Sequence, residues 1–252
     1  MLSFDIAGKH VVITGGGGGI GGATAVEMAD LGATVTVLDQ DRDRAQSVVD
    51  KITTAGGTAH AAVLDLSDVD QVRSAFAALE RPCDILVNTA GLIKYTSLLE
   101  QDEDSFDQLL AVNLRGTFFC LQEAAKQMTS GSGGAIVNLA STAAFVAARL
   151  PATAYAMTKA GVRQLTTAAS TELAPQGVRV NAVAPATIET PFVKGTIDTP
   201  EQRAATAARS PIGRIGQPAD VVGAIVFLAS PLAGFITGHT LVIDGGRLGR
   251  AS

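Results

Sequence analysis

The chain has 252 residues, 47% hydrophobic and 17% charged, with net charge −5 and a pI near 5.2. An acidic chain with scattered Lys and Arg is poorly suited to non-specific nucleic-acid binding or to adhesion on anionic membranes. Two cysteines make no disulfide framework, and three histidines without ligand spacing give no reason to expect a metal site.

The opening MLSFDIAGKHVV lacks a basic stretch followed by an apolar one, so no signal peptide is expected. Residues 11–13 form the first strand candidate, followed by seven glycines within positions 15–22 and a helix over 20–31. Further strands are read at 34–38, 59–64, 84–87, 135–139, 178–183 and 240–243, each short and rich in β-branched residues. Between them the spacing is helical. Val69, Val72, Phe76 and Leu79 share a face, with Ser67 as the candidate N-cap. Residues 104–128 and 154–173 are apolar on more than one face, which predicts burial on two sides, one against the sheet and the other against a second subunit or under loops. The most apolar run, 221–229, is far below the ~20 residues of a membrane span. Strand–helix alternation without a linker or repeat predicts one α/β domain over 1–252. Its expected form is a doubly wound, seven-stranded parallel sheet (a Rossmann fold) with helices on both faces. A cytoplasmic protein with reduced Cys83 and Cys120 is expected.

The glycines lie between a strand and a helix, where free amides and the helix dipole favour a pyrophosphate. Several glycine templates fit. Position favours Gly15 at the tight turn, with Gly19 and Gly21 flanking Ile20 at the helix start, and Gly16–Gly18 as loop residues. Asp39 ends the second strand, where a carboxylate accepts hydrogen bonds from the adenosine ribose and repels a 2′-phosphate. Gln40 follows it, and Arg42 and Arg44 are assigned to the next helix, so NAD is favoured over NADP.

Tyr155 and Lys159 are four apart in a helical segment and so adjacent on one face. A phenol is a poor base at neutral pH, because its pKa is near 10. The ammonium and an oxidised nicotinamide are expected to lower it enough for the proton half of hydride transfer.

At this point the residues resemble a known family along essentially the whole chain, the short-chain dehydrogenases/reductases. The matches are TGGGGGIG, NTAG at 88–91, VNLRGTF, VNLAS, YAMTK, VRVNAVAPATIETP, PIGRIGQPADV and ITGHTLVIDGG. The resemblance implies a catalytic set of Asn113, Ser141, Tyr155 and Lys159. In it Tyr155 is the acid/base, Lys159 lowers its pKa and binds the nicotinamide ribose, Ser141 donates to the substrate oxygen, and Asn113 kinks its helix and holds a relay water. It also implies cofactor contacts from Gly15, Gly19, Ile20, Gly21 and Asp39, from Asp65 and Leu66, from Asn88, Ala90 and Gly91, and from Pro185, Ile188 and Thr190. Three positions depart from the family pattern: Thr89 replaces the second Asn of NNAG, Ala186 replaces a Gly, and Ser141 is fourteen residues before Tyr155 rather than thirteen. Thr142, at thirteen, is the alternative hydroxyl.

Phe145, Val146, Leu150, Phe192 and Val193 are expected around a small-molecule substrate of mainly apolar character, a secondary alcohol or its ketone. Tyr95 is placed either at the cleft edge or elsewhere. Arg149 and Lys194 are candidate partners for an acidic group, or solvated surface residues. The alternatives are a 3-oxoacyl-thioester reductase, whose acidic carrier needs a basic patch and whose usual cofactor is NADPH, and a non-catalytic NAD-binding scaffold or sensor. A homo-oligomer, tetramer or dimer, is expected.

Overall fold

The β-branched runs become seven strands: β1 (His10–Thr14), β2 (Thr34–Asp39), β3 (Thr58–Val63), β4 (Ile85–Asn88), β5 (Gly134–Leu139), β6 (Val178–Pro185) and β7 (Thr240–Ile243). The structure is a computed structural model and describes residues 3–147 and 150–249. All strands pair in parallel in the order β3-β2-β1-β4-β5-β6-β7. The helices are α1 (Gly19–Asp30), α2 (Arg42–Thr54), α3 (Val69–Ala77), α4 (Glu103–Leu110), α5 (Thr117–Thr129), α6 (Thr153–Leu173), α7 (Pro200–Ala207) and α8 (Pro218–Ala229).

Strand side chains alternate between two cores. Val11, Ile13, Val35 and Val37 pack with Met28 of α1, Val48 of α2 and Ile225 of α8. Val12, Leu38, Leu86 and Ile136 point the other way, onto Phe76 of α3 and Leu121 and Met128 of α5. Each such side chain contributes about 1.5–3 kcal/mol by leaving water. Because both faces are covered, the strands read as continuous apolar runs. The order reverses between β1 and β4. There the crevice at the strand C-terminal ends opens, and the glycine loop and NTAG meet in it.

Two local expectations are corrected. Helix α3 is capped by Asp68, whose carboxylate accepts from the amides of Asp70 (3.0 Å) and Gln71 (3.1 Å); the Ser67 hydroxyl instead donates to Asp65 (2.7 Å). The 104–128 segment is not one regular α-helix: a π-helical turn, Ala111–Gly116, separates α4 from α5 and contains Asn113, where the resemblance implies a kink. On the outer faces of α5 and α6, Phe118 and Met157 remain 42% and 52% exposed. No helix among the described residues is long and apolar enough to cross a membrane.

Candidate active site

The glycine loop is tight because its neighbours leave no room. Gly15 and Gly19 have φ of +66° and +56°, the left-handed region that disfavours side chains. A Cβ on Gly15 would lie 2.7 Å from the Ala90 Cα, and one on Gly21 would overlap the Gly15 carbonyl and the Thr89 hydroxyl. Gly16 and Gly17, read from the sequence as loop residues, also stand close against their neighbours. A Cβ on Gly16 would come within 2.9 Å of Val37, and one on Gly17 within 2.7 Å of the Asp39 carboxylate. No side chain caps α1 at Gly18, so its first amides are available to an anion.

A cleft of about 430 Å³ follows the strand ends. Gly15, Gly19, Ile20, Gly21 and Asp39 line one end, with Asp65, Leu66, Ala90 and Gly91 beside them. Ser141, Thr142, Tyr155 and Lys159 line its floor, and Pro185, Ile188 and Thr190 its far wall. Thr190 closes on the loop, its Cγ2 3.4 Å from where a Gly19 Cβ would stand. Asp39 is fixed by two amides, Gly17 to one oxygen (2.9 Å) and Asp41 to the other (3.1 Å). Ala186 needs no glycine geometry, since Asp5 is the one described non-glycine residue with positive φ.

Two predicted residues do not reach the cleft lining. Asn88 is buried beneath it. It accepts from the Thr14 hydroxyl (3.3 Å) and donates to Asn138 (3.0 Å), which donates on to Thr166 (3.0 Å). Its amide ties strand ends together beneath the cleft. Asn113 is fully buried and clamps Leu92: its Oδ1 accepts from the Leu92 amide and its Nδ2 donates to the Leu92 carbonyl, both at 2.8 Å. The same Nδ2 donates to Thr158 (3.1 Å). Its side chain thus positions the 91–92 turn against α6, the helix carrying Tyr155.

Tyr155 is buried, and its ring lies 6.2 Å from that of Phe192. Burial pushes its phenol up to about 12; a hydrogen bond with the Ser141 side chain pulls the other way, and Tyr95 nearby adds to the rise. Ser141, rather than Thr142, is the hydroxyl that meets Tyr155; it also accepts from the Ala143 amide (3.1 Å). Lys159 Nζ is 5.9 Å from the Tyr155 ring centroid and donates to the Leu139 carbonyl (2.7 Å). Burial brings this ammonium down to about 8. Within the protein itself, burial outweighs the Ser141 hydrogen bond and sets the direction of the phenol's shift.

At the substrate end, Val146, Leu150, Phe192 and Val193 line the cleft with Leu92 and Ile93. Phe145 does not; its ring carries the Arg163 guanidinium at 4.6 Å. Tyr95 does line the cleft, beside Thr196. Lys194 is exposed outside it, and Arg149 lies outside the described residues. Sequence reasoning missed Arg44, Gln108, Arg209 and Arg247, which also line the cleft. Only Arg44 left a signal, its closeness in sequence to Asp39.

Comparison with known proteins agrees with this geometry. A family profile described as enoyl-(acyl carrier protein) reductase matches residues 15–247. The chain is 39% identical to an L-rhamnose 1-dehydrogenase (NAD(P)(+)) of Azotobacter vinelandii, over 98% of each chain. It is 37% identical to a 3-oxoacyl-[acyl-carrier-protein] reductase of Thermotoga maritima, over 96% of this chain and 98% of that one. A crystal structure of a short-chain type dehydrogenase/reductase from Mycobacterium marinum superposes with a TM-score of 0.93 at 34% identity, covering 97% of both. With its parallel sheet, its glycine loop at the switch point and Tyr155 four residues before Lys159 in the adjoining cleft, this chain belongs to the short-chain dehydrogenase/reductase family, as an NAD(P)-dependent oxidoreductase acting on CH–OH groups.

Proposed function

We propose that the enzyme moves a hydride between NAD(H), used in preference to NADP(H), and a secondary alcohol or its ketone of mainly apolar character. The observation that carries this is the placement of buried Tyr155 against Ser141, one turn from Lys159, at the floor of a cleft that begins at Asp39. The site fits a dinucleotide: the loop has no space for side chains, α1 is uncapped, and the Asp39 carboxylate stands where a ribose would meet it. Gly15, Gly19, Ile20 and Gly21 would hold the pyrophosphate, Asp39 the adenosine ribose, Asp65 and Leu66 the adenine, and Ala90, Gly91, Pro185, Ile188 and Thr190 the nicotinamide half. When bound, the oxidised cofactor supplies the hydride acceptor and a positive charge.

In oxidation, Tyr155 takes the substrate hydroxyl proton as the carbon gives up its hydride; in reduction it returns a proton to the carbonyl oxygen. Ser141 donates a hydrogen bond to that oxygen as charge develops on it. Bringing a phenol from about 12 to near 7 takes about 7 kcal/mol. Lys159, whose Nζ lies 5.9 Å from the Tyr155 ring centroid, favours the phenolate by its charge. The cofactor's charge must supply the rest, since the Ser141 hydrogen bond is already contained in the value of about 12. Asn113 serves as a positioning residue. Leu92, Val146, Leu150, Phe192 and Val193 exclude water. The exposed Phe118 and Met157 support a homo-oligomer, dimer or tetramer, and the two free, buried thiols support a cytoplasmic enzyme.

A second reading, a 3-oxoacyl-thioester reductase, gains from Arg209 and Arg247 on the cleft and from the Thermotoga relative. Nicotinamide absorbance, followed with NAD and NADP against secondary alcohols, neutral sugars, hydroxysteroids and oxoacyl thioesters, separates the two. Faster turnover of an apolar alcohol with NAD supports the first reading; selective use of the thioester with NADPH supports the second.

A further inference from the structure

The cleft does not end at the reacting groups. A side cavity of about 200 Å³ opens from it, and Ala186, Thr206, Arg209 and Arg247 line both. The topology gives an order along the strand ends: Asp39 closes β2, Ser141 follows β5, Pro185 closes β6 and Arg247 follows β7. With neighbouring strands ~4.8 Å apart, the end of β5 lies ~14 Å from that of β2 and ~10 Å from that of β7. A dinucleotide reaching from Asp39 to Tyr155 therefore stops short of the β7 end, and the two arginines stand beyond the reacting groups.

Their backbones are tied together. The Ser210 hydroxyl donates to the carbonyls of Asp244 (3.2 Å) and Gly245 (3.0 Å), and the Ile212 amide donates to the same Gly245 carbonyl (3.2 Å). Gly245 has φ of +61°, and a Cβ on it would overlap the Ser210 hydroxyl. Glycine thus lets the turn carrying Arg247 close on the segment carrying Arg209. Both arginines are half-buried.

The charge around them is positive. Among the described residues, three arginines (Arg209, Arg214 and Arg247) and two aspartates (Asp220 and Asp244) line the side cavity. Both aspartates are engaged: Asp220 by Arg214 and the Gln217 amide (2.7 Å), Asp244 by the amides of Gly246 (2.8 Å) and Leu248 (2.6 Å). No ion pair among the described residues engages Arg247. The acids lining the main cleft, Asp39 and Asp65, belong to its opposite end. An anion at the junction would meet guanidinium forks suited to a carboxylate, half out of water, where charge pairs are screened less.

We propose that the substrate carries a carboxylate remote from its reacting carbon, and that Arg209 and Arg247 receive it. The inference rests on the hydride-transfer reading and narrows the substrate to an oxo acid or hydroxy acid with an apolar middle. The carboxylate takes no part in the hydride and proton transfers; it fixes which carbon faces Tyr155. Because both arginines line the main cleft as well as the side cavity, a few carbons span the gap. An acyl carrier's acidic surface would stay outside the cleft, whereas a small carboxylate can enter to half-buried arginines.

Reduction by NADH of 4-oxopentanoate, 5-oxohexanoate and 6-oxoheptanoate, each beside its methyl ester, tests this. For at least one length, kcat/KM for the acid should exceed that for the ester by about tenfold or more, as expected of hydrogen bonds to a charged group. Arg209→Gln and Arg247→Gln should each remove most of that advantage, mainly through KM, and change the ester less than about threefold. Arg247→Lys keeps the charge and should retain part of the advantage. Added salt should shrink it in the unaltered protein and leave the ester's rate unchanged. Calorimetric titration should show NADH bound within about threefold of the parent in each variant. Equal rates for acid and ester at every length, reduction of neutral ketones only, equal loss of acid and ester in the arginine variants, or weakened NADH binding by them overturns the proposal. So does a selective loss of acetoacetyl-coenzyme A reduction in those variants with the acids unaffected. Reduction of no ketone with either cofactor overturns the reading beneath it, a separate outcome.

Discussion

Lys159 costs the fold stability, and Lys159→Met should reveal how much. Its ammonium is almost wholly buried, and burial lowers its pKa from the ordinary 10.5 to about 8. Protonation is thus less favourable in the folded than in the unfolded chain, a penalty of about 3 kcal/mol at pH 7. For a base with a depressed folded pKa, the penalty is full below pH 8, falls between 8 and 10.5, and is absent above. It is below about 1 kcal/mol by pH 10. Methionine keeps the length and removes the charge. It also removes the 2.7 Å bond to the Leu139 carbonyl, a loss of about 1 kcal/mol. Urea denaturation should then show Lys159→Met about 2 kcal/mol more stable than the parent at pH 7, with the gap closing by pH 10, while activity is lost. A variant less stable at pH 7, or a gap that does not depend on pH, would refute the reasoning.

Ser141→Ala should lower kcat/KM by roughly 10²–10³, the loss of one donor to developing charge, whereas Thr142→Val should stay within about threefold; the reverse ranking in steady-state kinetics would make Thr142 the catalytic hydroxyl. Asn88→Ala strands the Thr14 donor and the Asn138 acceptor, and should destabilise by about 3 kcal/mol in urea while changing NAD+ affinity less than threefold. Unchanged stability with lost NAD+ binding would make Asn88 a direct cofactor contact instead.

The strands were legible because each is a continuous β-branched run bounded by turn residues, and all seven fall within two residues of their expected limits. The switch-point loop was legible because glycine there answers a steric demand, visible at Gly15 and Gly21. What escaped were directions. Ser67 and Asp68 are both cap-forming types, and the preceding Asp65 decides by engaging Ser67. Asn88 sits in the expected motif, yet its amide turns toward Asn138 beneath the cleft, which motif matching cannot convey. Phe145 belongs to the expected cleft segment but stacks under Arg163. Arg44 was correctly assigned to α2, but its closeness to the Gly17 and Gly18 positions depends on how the helix packs, which the sequence does not show. The opposed pKa shifts of Tyr155 and Lys159 depend on burial, which spacing alone does not reveal.

Tyr155→Phe removes one hydroxyl and almost nothing else from the cleft. NADH should bind the variant with an affinity within about threefold of the parent, and turnover of any alcohol the parent oxidises should fall by at least about 10³, in the upper part of the usual range for loss of a general base because the Ser141 contact goes with it. Turnover comparable to the parent's would contradict Tyr155 as the group that carries the proton.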